Sequence, residues 1–485
     1  MEDKGIFDLL VVGGGINGVA IARDAAGRGL KVVLVEAGDL GGATSSASSK
    51  LVHGGLRYLE FHAFGLVRKA LQEREIILRN APHISWPLPF LLPVTPGRGA
   101  NLLRAGLFLY DHLARHHEVP GSERVALQKV RAGPAFAPHL QDAFRYWDGW
   151  IDDARLVILT ARDAADRGAA IWPRDALVSA RFADGLWSAT MASGRQAAAR
   201  FLVNATGPWV ERVAADVLGL PGAPPVALVQ GAHIVTRRVN RGDDAWTLQQ
   251  PDGRIIFVIP WEQDFSLIGT TETPIAEPAM VTPTAAEEEY LLGAVNRSLA
   301  RPLTLADIVH RFAGIRPLIL EEGKGARETT RDWRLVRHAD VPALSVVGGK
   351  ITTCRRLAED VLEQIAPKTE GWTRNAPLPG GDIPRRRGTT AQEDFLHWMA
   401  NLQAAHAHYD PAIVARMARL YGTHAAALLE AGLGENLGGI FAAELDHMRT
   451  HEWARTTDDI LWRRTKLGLR LGIAEVGKVR RYMGG

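Results

Sequence analysis

A short apolar run, Leu9-Leu10-Val11-Val12, is followed at once by Gly13-Gly14-Gly15-Ile16-Asn17-Gly18. Val19 to Ala26 then reads as helix and stops at Gly27-Arg28-Gly29. A second apolar run, Lys31-Val32-Val33-Leu34-Val35, ends on Glu36. Strand, glycine turn, helix, strand and acid in that order leave few folds open. Gly13 permits a tight turn, Gly15 lets backbone approach a pyrophosphate, and Gly18 lets helix and sheet pack closely. The first amides of the helix lack intrahelical partners and carry partial positive charge, which suits an anion. Glu36 lies 18 residues past Gly18, placed to accept hydrogen bonds from an adenosine ribose. The pattern predicts a Rossmann-like dinucleotide site. A carboxylate at residue 36 repels a 2′-phosphate, which disfavours NADP and leaves NAD and FAD.

Three further segments separate the two. An NAD domain is expected to continue with more βα repeats, and this chain does not. Beyond Glu36 comes a small-residue tract, Asp39 to Ser49, followed by Lys50-Leu-Val-His53-Gly54-Gly55-Leu56-Arg57-Tyr58. Hydroxyl residues there, Thr44, Ser45, Ser46 and Ser48 among them, let backbone amides approach a cofactor and add donors of their own. Much later, Phe201-Leu202-Val203-Asn204-Ala205-Thr206-Gly207-Pro208-Trp209 is an apolar strand ending in a turn of small residues. Leu344 to Val347 runs into Gly348-Gly349-Lys350-Ile351-Thr352-Thr353 and a helix from about Arg355 to Ile365. The amides of that helix start could face a flavin ring, with Thr352 or Thr353 as cap. Three such turns in this order indicate a flavoprotein, with Gly207, Gly349, Lys350 and Thr352 at the cofactor.

These strings, with Ala43 to Lys50, His53 to Tyr58 and Ile315-Arg316-Pro317, resemble the FAD-dependent glycerol-3-phosphate dehydrogenases. Those are respiratory, quinone-linked enzymes of the D-amino-acid-oxidase/glycine-oxidase flavoprotein group. The resemblance runs from about residue 8 to about residue 480, and Trp453 with Asp458 to Lys466 also fits that family. One departure is Cys354, where the family more often has an aromatic residue. The resemblance implies an α/β fold: a discontinuous Rossmann-like FAD domain, an antiparallel-sheet substrate domain and a C-terminal helical cap domain. The expected boundaries are 1–80, 150–225 and 340–370 for the FAD domain and 226–339 for the substrate domain. Residues 81–149 read as a helical, membrane-facing segment, and 385–485 as the α-helical cap after the linker Asn375 to Gly381.

Composition narrows the function classes. Among 485 residues the formal net charge is only +3, too small an excess to mark a nucleic-acid binder. A lone Cys354 excludes an internal disulfide, a Cys-x-x-Cys pair and a cysteine-rich zinc site, and fits a reducing compartment. No paired histidines or acids show metal spacing, so no metal is expected. The acidic start, Met1 to Asp8, does not read as a secretory signal, and no run approaches the roughly 18 apolar residues of a spanning helix. Asn101 to His117 is amphipathic: Leu102, Leu109 and Leu113 share a face, with Leu103, Leu107 and Tyr110 beside it. An ordinary core-facing helix is the plainer reading. The apolar Trp86 to Pro93 run, surrounding basic residues Arg68, Lys69, Arg74, Arg79, Arg98 and Arg104, and the need to reach a lipid-soluble quinone favour peripheral attachment to anionic lipid. The expected location is cytoplasmic, at the inner face of the cytoplasmic membrane. Oligomeric state stays open, with a homodimer as one candidate.

Oxidising the secondary alcohol of sn-glycerol 3-phosphate to dihydroxyacetone phosphate requires a hydride acceptor, a base and cations for the phosphate. The resemblance places Arg316 and Arg57 against substrate, with Arg331 beside them. Lys350 falls near the flavin pyrimidine edge, and Tyr58 and Thr270 (or Thr271) can donate to glycerol oxygens. The base is open among His233, on a strand expected to face the flavin, His53 and Lys350. FAD is expected to be held without a covalent link. Two other activities stay open: an oxidase passing electrons to oxygen, and a nucleotide-binding protein without turnover.

Overall fold

In a computed structural model of the chain, residues 5–95, 99–220, 226–319 and 332–484 are described. Phe7–Val12, Val32–Val35 and Ala170–Trp172 form one side of a parallel sheet, and Gln196–Asn204 and Ala343–Gly348 form the other. Phe7–Val12 is central, with Leu9 opposite Val32 on one side and Phe201 on the other. Alternation of apolar and polar residues is absent because both faces are covered: Leu9, Leu10, Val11, Val12, Val32, Val33, Leu34 and Val35 are all buried, as expected of parallel strands. The helix Ile16–Gly27 lies on one face and packs through Val19, Ala22 and Ala25 against Asp153–Asp166 and Cys354–Ile365. Trp333–His338 adds an antiparallel edge strand, so this sheet begins its last segment earlier than the expected residue 340.

Among the described residues the second sheet has ten strands and is almost wholly antiparallel. The runs expected as strands, Ala232 to Val235, Arg254 to Ile259 and Phe265 to Gly269, fall in Val226–Arg237, Ile255–Trp261 and Phe265–Gly269. Ile308–Ile319 pairs with Val226–Arg237 along most of its length and sets Arg316 opposite Val229. Gly314-Ile-Arg-Pro317, which reads as a loop, is therefore strand.

The segment 81–149 corrects the expectation most. Beside the helix Ala100–His112 it holds two long strands, Ser85–Pro93 and Asp142–Ile151, which pair with each other inside the second sheet. Local sequence hides this because Pro87, Pro89 and Pro93 argue against a strand. They are tolerated because Ala245–Gln249 meets Ser85–Pro93 only at Phe90 and Leu91, leaving no neighbour on that edge beside Pro87 and Pro89. Leu88, Phe90, Leu91 and Leu92 are buried, and Trp86 stacks on Trp150, so this run is not an interfacial surface. Arg74 is also inside, ion-paired to Asp148. Among the described residues here only Ala100–His112 is a long helix, and it is apolar on two sides. Leu103, Leu107 and Tyr110 face the core, while Leu102 and Phe108 are 67% and 63% exposed. Among the described residues no helix is long and apolar enough to cross a membrane.

The C-terminal region is helical, as expected. Ala391–Ala405, Pro411–Tyr421, Ala442–His451 and Ile473–Tyr482 surround a core that includes Phe395, Met417, Leu445 and Ile460. Thr390 with Glu393 forms a capping box at the first of these, and Asp410 caps the second. This region is bolted to the first sheet's side of the molecule by ion pairs, all but Arg174–Asp459 largely buried. Asp39 binds both Arg463 and Arg464, Arg174 binds Asp459, Lys466 binds Asp152, and Arg155 binds Glu452 at 2.6 Å.

Removing one member of a buried pair leaves the other desolvated and alone, which costs about 3–5 kcal/mol. Arg464→Ala is expected to lower the thermal unfolding midpoint by several degrees in scanning calorimetry. Asp39→Ala added to it is expected to cost much less than the sum of the two single changes.

Candidate active site

A cleft of about 1110 Å³ runs along the carboxyl ends of the parallel strands. That is where a doubly wound sheet offers its free amides. Each strand delivers a turn to it: Gly13 and Gly15 after Val12, Glu36 after Val35, Arg174 after Trp172, Ala205 to Gly207 after Asn204, and Gly349 to Thr352 after Gly348.

The first turn behaves as its glycines require. Gly13 has φ +109°, and a Cβ there would sit 2.7 Å from the Ala205 carbonyl oxygen. A Cβ on Gly18 would sit 1.9 Å from the Gly13 carbonyl oxygen, so only glycine lets the helix come this close. Gly18 itself does not line the cleft. Gly15 does, and a Cβ there would crowd Ser45 Oγ at 3.2 Å, the atom that accepts the Ile16 N–H at 3.0 Å. Glu36 accepts from the Gly14 amide (2.6 Å) and the Gly38 amide (2.7 Å) and lines the cleft. Burial pushes its carboxyl up, and those two amides oppose the rise. The cradle of glycines, a helix start and one acid, in a cleft of this size, fits a dinucleotide with its adenosine half at Glu36 and its pyrophosphate at the helix start.

At the far end, Thr44, Ser45 and Ser48 line the cleft, whereas Ser46 lies off it. Thr44 Oγ1 donates to the Ile315 carbonyl (2.7 Å) and Ser48 Oγ to Asp153 (2.7 Å), so the loop is tied to the second sheet and to the helix Asp153–Asp166. Gly349 has φ +94°, and Asn17 Nδ2 donates to the Gly348 carbonyl at 3.1 Å, joining the first and last cofactor segments. Neither Thr352 nor Thr353 caps the following helix with its side chain. Thr352 Oγ1 instead accepts the His53 N–H at 3.3 Å.

Arg316, Lys350, Tyr58, Thr270 and His53 all line this end. Arg316 Nη2 donates to Thr270 Oγ1 at 3.1 Å, and Lys350 Nζ stands 4.1 Å from the Tyr58 ring centre. Arg316 and Thr270 find room because their neighbour is Gly231, where a Cβ would come within 2.8 Å of both side chains. Two cations beside hydroxyl groups and an imidazole suit a phosphorylated alcohol.

Two expected residues, Arg57 and His233, stand elsewhere. Arg57 is half-buried and does not line the cleft. Arg331 lies outside the described residues. His233 is buried behind Ser49, whose Oγ is 2.9 Å from its Nε2, and its ring stacks on Phe312. A Cβ on the facing Gly269 would strike that ring at 2.2 Å, so the imidazole occupies a slot made for it inside the sheet. Burial first, then Arg316 and Lys50, hold His233 well below the ordinary histidine range, and it stays neutral. His53 is the histidine at the cleft, edge-on to Phe257.

Other contributors carry no local signature. Asp39, Arg174, Asp459 and Arg463 line the cofactor end but owe their places to contacts more than 280 residues apart in the chain. Lys50, buried against Asp153 at 2.8 Å, anchors the serine tract.

The comparisons with known proteins agree with this geometry. The model of the FAD dependent oxidoreductase family matches residues 8–349, and that of the C-terminal domain of alpha-glycerophosphate oxidase matches residues 372–483. A glycerol-3-phosphate dehydrogenase from Pseudomonas aeruginosa is 45% identical, covering 99% of this chain and 95% of its own. A D-erythritol 1-phosphate dehydrogenase from Brucella abortus is 44% identical, covering 98% and 97%. Among solved structures, the glycerol-3-phosphate dehydrogenase from Bacillus halodurans complexed with FAD superposes with a TM-score of 0.78 at 26% identity, covering 99% of this chain and 90% of that one. With its glycine cradle, its split cofactor turns and its helical C-terminal region, the chain belongs to the glycerol-3-phosphate dehydrogenase family of FAD-dependent oxidoreductases.

Proposed function

We propose that this chain oxidises sn-glycerol 3-phosphate to dihydroxyacetone phosphate, with a membrane quinone as final electron acceptor. The observation that carries the reading is the meeting of Arg316, Lys350, Tyr58, Thr270 and His53 at the inner end of a dinucleotide cleft. Bound FAD would supply the acceptor for the C2 hydride. Arg316 and Lys350 hold the phosphate, Tyr58 and Thr270 orient the glycerol oxygens, and His53 takes the hydroxyl proton. The FAD domain is read as segments drawn from 1–80, 150–225 and about 333–370, with the second sheet as substrate domain and 385–485 as cap.

Anaerobic titration of the yellow holoprotein with glycerol 3-phosphate is expected to bleach the flavin absorbance. Unchanged absorbance overturns the reading, and bleaching by D-erythritol 1-phosphate alone moves the substrate to the longer polyol, as the Brucella abortus relative suggests. Rapid peroxide formation without quinone assigns the acceptor to oxygen instead. In the same titration Arg316→Ala is expected to cost on the order of 2 kcal/mol or more in substrate binding, about thirtyfold in KM.

His53→Gln is expected to slow flavin reduction by roughly 10²-fold or more, since it removes the general base. His233→Gln is expected to act chiefly on stability. A full rate in the first variant with a large loss in the second returns the base to His233.

Peripheral attachment is read from the outer face of Ala100–His112, where exposed Leu102, Phe108 and Leu109 lie among exposed Arg104 and Arg115. Co-sedimentation with vesicles rich in phosphatidylglycerol is expected to be salt-sensitive and to fall in Phe108→Asp, with activity toward a soluble dye retained. Absence of the wild-type protein from the vesicle pellet overturns attachment through this face.

A further inference from the structure

One buried polar cluster lies outside the cleft and touches its lining. Tyr110, on the inner face of Ala100–His112, is 1% exposed, yet its hydroxyl is fully engaged. It accepts the Gly54 N–H at 2.8 Å and donates to the Asp148 carboxylate, 2.8 and 2.9 Å from the two oxygens. Arg74 closes the cluster with a bond to Asp148 at 2.8 Å, and Arg74 is 0% exposed.

The placement of each member follows from the fold. Leu51–Val52 pairs with Trp150 and Gly149, so Asp148 is the next residue along that strand, level with the start of the His53 loop. Gly54 has no side chain because there is no space: a Cβ would lie 2.7 Å from both the Tyr110 hydroxyl and Leu71. The loop that follows carries His53 and Tyr58, both of which line the cleft. Its backbone is thus held on one side by Thr352, through the His53 amide, and on the other by Tyr110, through the Gly54 amide. Burial and the neighbouring Asp148 charge push the Tyr110 hydroxyl well above its ordinary range, so it keeps its proton.

We propose that Tyr110 is a positioning residue, which with Asp148 and Arg74 fixes the His53–Tyr58 loop at the cleft and makes the helix Ala100–His112 and that loop one mechanical unit. The inference rests on reading the cleft as the substrate site. It adds a role to a helix whose outer face is exposed and apolar.

Tyr110→Phe keeps the ring and removes only the hydroxyl. In the FAD-loaded protein the limiting rate of anaerobic flavin reduction by glycerol 3-phosphate is expected to fall about tenfold or more, as a misplaced base requires, with KM changed less and FAD content near wild type. A wild-type rate overturns the proposal. So does a loss that appears only as fewer reducible flavins at an unchanged rate, since that marks a folding defect. Hydrogen exchange provides a test that needs no turnover and no variant. In the wild-type holoprotein under mild urea, peptides spanning 52–60 and 103–112 are expected to open together, and independent opening overturns the proposal. If substrate bleaches neither protein, the functional reading fails while the exchange result still decides this one.

Discussion

Everything at the cleft depends on how closely the helix Ile16–Gly27 can approach the central strand. The limit is set by one contact, the α-carbon of Gly18 over the carbonyl of Gly13. Any side chain at residue 18 would push the helix outward and carry its first amides away from the sheet edge. Those amides are placed where an anion would bind, and the Gly14 amide fixes Glu36. The glycine therefore acts through geometry, although it does not touch the cleft. Its absence from the lining is consistent with its role: packing residues set where binding residues stand.

This dependence explains what is legible in the sequence. The nucleotide half is written in local spacing, because strand, turn, helix and acid are consecutive and their roles follow from backbone chemistry. The helical C-terminal region is legible because the sequence turns helical after the linker Asn375 to Gly381. The second sheet is legible only where a strand has alternating or β-branched residues. Ser85–Pro93 defeats that test: three prolines argue against a strand, and only its partial lack of a neighbour makes them harmless. The places of Arg74 and His233 are hidden for a related reason. A charged or imidazole side chain gives no sign in sequence that a carboxylate, or a slot beside a glycine, awaits it across the sheet.

The ion pairs between the C-terminal region and the first sheet belong to the same class of hidden information. Asp39 stands three residues past Glu36, and its partners come from Arg463 and Arg464. Buried pairs of this kind contribute little net stability against apolar packing, because desolvation offsets their attraction. Their worth is in orientation. A hydrophobic contact between the two regions would tolerate sliding, whereas guanidinium forks on Asp39 and Asp459 permit one alignment. Since Asp39, Arg174 and Arg463 line the cofactor end, that alignment also sets the wall of the cleft. The helical region thus lines the cleft even though its own sequence carries no nucleotide motif.

The helix Ala100–His112 shows the opposite arrangement, in which one short element serves two environments. Its inner face supplies Leu103, Leu107 and Tyr110 to a core that also contains Leu71, Phe90 and Tyr146. Its outer face leaves large apolar groups in water, which is unfavourable for a helix that only had to fold. A helix needed for packing alone could carry polar residues at 102 and 108 at no cost to the core. Apolar residues there are best explained by a second surface that covers them. The inner and outer faces are separated by less than one helix diameter, about 10 Å. Whatever meets the outer face therefore lies one rigid element away from the Gly54 amide and the loop that presents His53. Under the proposed membrane attachment, the surface that meets lipid is held in fixed register with the residues proposed to act at the cofactor.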